Sequence, residues 1–252
     1  MSILDKPKYK DPVTAEFGDD YDAYPVVACV WCKGPGNYRI SHVLSLFDMV
    51  RRWLPVEHEF VCLTDHEDAF PRLFNLGIKP VIIKPDVPGW WQKAKMFEPS
   101  IWGKNRRVLF LDLDVVITGD LTKFFKAKHH TVAIANFGVN FQHSKYNSSV
   151  VLFTPAGPTK KIPQKFYEVG AQKVMDALHG DQCWFWRVMK DNVHTWPREW
   201  VQSYKYETRR TGLHPETSIV VYHGNPKPWE CNDAVSKQYG AGAGTLAGQN
   251  GG

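Results

Sequence analysis

Short apolar runs recur along the first half of the chain, and amphipathic stretches separate them. The run VVACVW at 26–31 predicts a buried first strand. A Gly/Pro turn at 33–37 leads into a helix over 38–53. Val43, Leu44, Phe47 and Val50 keep helical spacing there, and Pro55 lies just beyond the end. Residues 59–64 (EFVCLT) and 79–84 predict the second and third strands. GWWQKAKMFEPSIW reads as a loop running into a helix, and 107–111 as a fourth strand. Strands alternating with helices predict an α/β fold: a mostly parallel sheet flanked by helices. The second half is less regular. It offers strands at 132–135 and 150–153, a helix over 164–178, and a last short strand at 219–222. No internal repeat is visible. Residues 1–23 are polar and read as a loose N-terminal arm, 24–238 as one domain, and the Gly-rich 239–252 as a disordered tail.

Composition fits this picture. The chain has 252 residues, 43% hydrophobic and 23% charged, which is enough to bury a full core. No apolar run approaches the roughly 20 residues of a membrane helix. The opening MSILDKPKYKDP has no apolar signal core, so a cytoplasmic protein is expected. A formal charge of +5 favours anionic ligands such as phosphates, but is too small for a nucleic-acid footprint. The five cysteines are odd in number. Cys29 and Cys32 form a CxxC within a strand-like run, and no second CxxC completes a zinc site, so they read as buried thiols.

The chemistry concentrates in RVLFLDLDVVITGDL, residues 107 to 121. Asp112 and Asp114 interrupt an apolar strand. Burying ionised carboxylates is costly, and two together repel, so something positive is expected between them. If the strand runs through 114, both side chains share one face and can share a hard cation, Mn²⁺ or Mg²⁺, with substrate phosphates completing its shell. Ligands of such sheets bind beyond the carboxyl ends of the strands, where this pair falls. In HGNPKPWE, His223 offers an imidazole ligand, Gly224 allows close backbone approach, and Lys227 offers a cation for phosphate. Trp90, Trp91, Trp184 and Trp186 are candidates for stacking on a sugar or a base. The basic clusters at 104–107 and 209–210 read as solvated faces.

Together these segments resemble GT-A-fold, metal-dependent glycosyltransferases, closest to family 8-like bacterial and phage members, over about residues 25 to 230. RVLFLDLDVVITGDL resembles their strand-end DxD segment and YHGNPKPWE their C-terminal His, Gly and KPW motif. KYNSSVVLFTP, HGDQCWFW and GWWQKAKMF resemble their Asn-Ser strand, Asp-Gln helix start and basic segment. The resemblance implies a Rossmann-like single domain with an irregular C-terminal acceptor half. It implies Mn²⁺ held by Asp112, Asp114 and His223, with Asp112 also at the ribose. Lys227 would hold the diphosphate, Lys95 would contact the donor, and Asn147 would line the sugar or acceptor pocket. Asp181 and Gln182 would face the transferring sugar. The implied reaction moves a hexose, with retention, from a UDP-sugar to an acceptor hydroxyl on a glycan, a lipid-linked sugar, a protein or a modified DNA base. One departure stands out: many members place two residues between the histidine and the glycine, whereas Gly224 follows His223 directly.

Two other readings compete. FLDLDVVIT also resembles the first motif of haloacid-dehalogenase-type phosphatases, but it lies about a hundred residues into the chain and lacks a later acidic pair. A non-catalytic carbohydrate- or nucleic-acid-binding module accommodates the tryptophans and the charge. It leaves the aspartates and the HGNPKPW segment unexplained.

Overall fold

A computed structural model describes residues 25–34, 36–103, 106–138 and 144–239. Its ten strands are β1 (Pro25–Trp31), β2 (Glu59–Thr64), β3 (Lys79–Ile82), β4 (Arg107–Leu111), β5 (Val115–Ile117), β6 (Thr131–Ala135), β7 (Tyr146–Phe153), β8 (His194–Thr195), β9 (Val201–Ser203) and β10 (Ile219–Val221). The helices are α1 (Ile40–Trp53), α2 (Phe70–Asn75), α3 (Pro99–Trp102), α4 (Thr122–Phe125), α5 (Lys161–Val169), α6 (Ala171–Ala177), α7 (Asp181–Met189) and α8 (Arg209–Thr211).

Seven strands form one sheet in the order β3-β2-β1-β4-β7-β6-β8. All run parallel except β7, which is antiparallel to β4 and β6. The mostly parallel sheet expected from the sequence is therefore present. Its central strands are buried on both faces, which is why they read as unbroken apolar runs. One face packs on α1, whose Val43, Leu44, Leu46, Phe47, Met49 and Val50 are buried. The other packs on a 3₁₀ segment (Gly89–Phe97), α5 and α7. A second sheet, β5-β10-β9, branches from the end of β4.

Several local expectations need correction. The helix expected over 164–178 is two helices, because Gly170 takes φ +98 between α5 and α6, a conformation open to glycine and closed to most side chains. The third strand stops at Ile82, before Pro85, and 89–97 is a 3₁₀ helix rather than a loop. The strand expected at 150–153 begins at Tyr146. Tyr239, placed at the start of the tail, is buried and donates from its hydroxyl to the Leu113 carbonyl at 2.6 Å. Arg107 is buried against the His129 carbonyl rather than solvated. Arg209 and Arg210 are exposed. The arm at 1–23 and residues 240–252 lie outside the described residues. No described helix is long and apolar enough to cross a membrane.

Candidate active site

The DxD pair sits where the two sheets part. β4 ends at Leu111, and the Asp112 N–H still donates to the Ser149 carbonyl at 2.9 Å, so Asp112 belongs to the large sheet. The chain then turns. The Asp114 carbonyl accepts the Tyr222 N–H at 3.2 Å, and Val115 pairs with Val221, so Asp114 belongs to the small sheet. The strand does not continue through 114 as expected. The turn, not strand alternation, aims both residues into one cleft. Leu113, between them, is buried.

The cleft has a volume of about 670 Å³ and opens beyond the carboxyl ends of β1 and β4. β1 contributes Val30 and the residues after it, β7 contributes Asn147 to Ser149, and α7 contributes Asp181 and Gln182. The segment after β10 supplies His223, Gly224 and Lys227. Among the expected site residues, the fold thus brings together Asp112, Asp114, Asn147, Asp181, Gln182, His223, Gly224 and Lys227.

Lys95 is the exception. Its ammonium is buried, paired with Asp86 at 2.5 Å and bonded to the Lys84 carbonyl, and it does not line the cleft. Lys93 is there instead. In a 3₁₀ helix residues three apart eclipse, so Trp90 and Lys93 share the cleft side while Lys95 points elsewhere. That periodicity is the signal that would have selected Lys93.

The positive charge demanded by the aspartates comes from two lysines. The Lys93 ammonium lies 2.6 Å from Asp112 and 3.7 Å from Asp181. Lys227 pairs with Asp114. Burial alone would lower Lys93, but Asp112, Asp181 and Asp114 reverse that and hold its ammonium above the ordinary lysine value. Asp114 also accepts the Tyr38 hydroxyl at 3.0 Å. Its carboxyl nevertheless stays above the usual aspartate value, because burial and the neighbouring Asp112 outweigh Lys227 and Lys93. The pair is thus still short of positive charge. Asp181 accepts the Ser148 hydroxyl at 2.7 Å, and the N-cap of α7 is Gly180, so Asp181 stands as the first residue of the helix and not as its cap.

A metal fits this donor set in part. Two hard carboxylates on one turn suit Mg²⁺ or Mn²⁺ held jointly with substrate phosphates. The expected triad is not assembled: among the described residues, no three His, Cys, Asp or Glu are gathered around one point. His223 lines the cleft, but its Nε2 is 2.7 Å from Ser203 Oγ and its ring stacks on Phe137 at 5.3 Å. Burial, with Lys205 and Lys227 nearby, pushes the imidazole down to about 4, so it is neutral at pH 7.

Other cleft residues were not singled out from the sequence. Tyr38 and Ser148 bond the carboxylates directly, and Tyr206 lies exposed at the rim. Cys32 lines the wall as a neutral thiol, pushed up to about 12 by burial and Asp65. Of the tryptophans, Trp90 is half-exposed in the cleft. Trp91 packs on Phe166, and Trp184 bonds the Ile162 carbonyl within the core. Trp186 faces a second cavity. Gly34 lies against Gly89: a Cβ on Gly34 would meet the Gly89 Cα at 2.7 Å, so two backbones touch beside Trp90. Cys29 is a buried free thiol as expected, whereas Cys32, expected to be buried too, is a half-buried free thiol.

No protein-family profile matches the chain, and no curated protein matches it significantly. Solved structures do resemble it. The glycosyltransferase GlyE of Streptococcus pneumoniae TIGR4 superposes with a TM-score of 0.66 at 17% identity, over 86% of this chain. This chain spans only 59% of GlyE. The galactosyltransferase LgtC, in complex with donor and acceptor sugar analogues, gives 0.65 at 17% identity, over 88% of this chain and 96% of its own. Mouse xyloside xylosyltransferase 1 gives 0.51 at 12% identity, over 81% of this chain and 100% of its own. At such identities the likeness is one of fold: a single-domain, mostly parallel sheet flanked by helices, the GT-A glycosyltransferase architecture.

Proposed function

We propose that this protein is a glycosyltransferase that moves a sugar from a nucleotide-diphosphate donor to an acceptor hydroxyl. The observation that carries this reading is the convergence of Asp112, Asp114, Lys93, Lys227 and Asp181 in one cleft at the strand ends of a GT-A fold. The donor is proposed as a UDP-hexose and the transfer as retaining. The acceptor is a hydroxyl on a glycan, a lipid-linked sugar, a protein or a modified DNA base.

Asp112 and Asp114 would hold Mn²⁺ or Mg²⁺ together with the donor's phosphates. When bound, such an ion supplies a Lewis acid for the departing diphosphate. His223 would join them only by leaving Ser203. Lys227 sits where it can follow charge from Asp114 to the diphosphate as the bond to the sugar breaks. Lys93 takes the donor-contact role first assigned to Lys95, bridging the DxD turn and Asp181. Asp181, Gln182 and Asn147 would orient the transferring sugar, and Gly224 keeps side-chain bulk from the phosphates. The acceptor oxygen attacks the anomeric carbon, the carbon–oxygen bond to the diphosphate breaks, and the leaving phosphate takes the acceptor proton.

Titration calorimetry tests the donor half of this reading. UDP is expected to bind with Mn²⁺ present, and to lose most of that affinity with EDTA or in Asp114→Ala. Metal-independent UDP binding of equal strength in that variant would contradict the assignment of Asp114.

A further inference from the structure

α7 serves two cavities. Its first turn sets Asp181 and Gln182 in the cleft. Farther along, Cys183, Trp186, Arg187 and Lys190, at i, i+3, i+4 and i+7, line a second cavity of about 570 Å³. Lys145 faces the same cavity. It stands two residues before Asn147 of the cleft, about 7 Å along an extended chain. The two cavities are therefore neighbours.

The second cavity is cationic. Lys145, Arg187 and Lys190 face one carboxylate, Asp191. Asp191 meets Lys145 at 3.8 Å, and both are exposed, so water screens that pair. Among the described residues, the side chains of Arg187 and Lys190 make no ion pair or hydrogen bond. Beside them the Trp186 indole is half-buried against the core. Lys190 follows α7 with φ +48 and ψ −118, a backbone that favours glycine. A lysine there holds an ammonium at the cavity despite conformational strain, and such strain is tolerated where a side chain is used.

A guanidinium fork, an ammonium and an indole together suit a phosphate flanked by a flat or apolar face. We propose that this cavity is an anion subsite that binds a phosphate group, monoester or diester. Because it adjoins the cleft, the phosphate would be carried by the acceptor, a step that rests on the transferase reading above.

The test is an NMR titration of ¹⁵N-labelled protein with inorganic phosphate and, separately, with the dinucleotide TpT as a phosphodiester. The Trp186 indole N–H, identified from its loss in Trp186→Phe, reports this cavity, while the Trp90 indole reports the cleft. Either probe should shift the Trp186 signal saturably. The double variant Arg187→Gln/Lys190→Gln should weaken that binding about tenfold or more. Lys190→Gly should weaken binding while raising the melting temperature, which a purely structural lysine would not do. Binding of phosphate alone marks a monoester subsite, and binding of TpT marks a diester one. No saturable Trp186 shift with either probe, or unchanged affinity in the double variant, overturns the proposal. Donor turnover by the wild-type protein separates the two readings. Turnover without a Trp186 shift sinks only the subsite. A shift without turnover of any donor sinks only the transferase.

Discussion

Lys93 holds the cleft together electrostatically, and Lys93→Met exposes what it does. Its ammonium is 2.6 Å from Asp112 and 3.7 Å from Asp181, with side chains about 15% exposed on each side. Met keeps the apolar stem near the Phe110 ring, which the ammonium overlies at 5.7 Å, so packing changes little. What is lost is the charge. Among the described residues, three carboxylates, Asp112, Asp114 and Asp181, then share the cleft with one lysine, Lys227. Removing one partner of a buried pair costs about 3–5 kcal/mol, and partial exposure brings the expected loss to about 3 kcal/mol. For a chain of this size that lowers Tm by about 6–12 °C. Urea denaturation in EDTA at pH 7 measures it, and the slope with denaturant should stay unchanged. The sign with pH is also fixed. Carboxylates left without their cation have raised folded-state pKa values, so they destabilise at neutral pH. The deficit should shrink as pH falls through those values toward pH 4. A loss below about 1 kcal/mol, or one that does not change with pH, would refute the assignment of Lys93 as the cleft's main counter-charge.

Asp114→Asn should raise metal-free stability while abolishing metal-dependent turnover, because the carboxylate's burial and its repulsion by Asp112 outweigh Lys227. Thermal melts in EDTA and nucleotide release read the two effects. His223, held down near 4 by burial, stabilises the fold above its unfolded value near 6.5 and loses that contribution as pH falls toward 4. Its imidazole NMR signals should stay in the neutral form at pH 6, and titration near 6.5 would contradict the burial argument. Gly34→Ala forces apart two backbones now in contact, at a cost of about 1–3 kcal/mol. Equilibrium unfolding should show the loss, and the Trp90 indole signal should move. An unshifted Trp90 would detach that contact from the cleft.

The parts of the fold legible in the sequence were those whose signal is a single physical pattern. β1, β2 and β4 read as strands because burial on both faces makes them continuous apolar runs. The first half of β7 did not, because Asn147, Ser148 and Ser149 interrupt the apolar run with polar side chains that line the cleft. In the small sheet β10 was legible as the strand expected at 219–222, but its two partners were hidden for another reason. β5 and β9 have three residues each, and their burial comes from tertiary packing. The DxD pair was found by chemistry, yet its geometry was misread, since an apolar Leu113 looks the same in a strand and in a buried turn. Lys93 and Lys95 were indistinguishable without the 3₁₀ period. His223 announced an imidazole, but nothing local announced Ser203, twenty residues away, as its partner.

Activation of a nucleotide sugar by the cleft is the proposed function. Its most direct test is nucleotide release from a panel of UDP-, GDP-, CMP- and ADP-linked sugars, with Mn²⁺ or with EDTA, in the wild-type protein and in Asp114→Ala. Many transferases slowly hydrolyse their own donor, so no acceptor is needed. Release from a UDP-hexose, lost in EDTA and lost in the variant, is the expected result. Absence of both release and metal-dependent nucleotide binding across the panel would contradict the account and turn it toward a non-catalytic binding module.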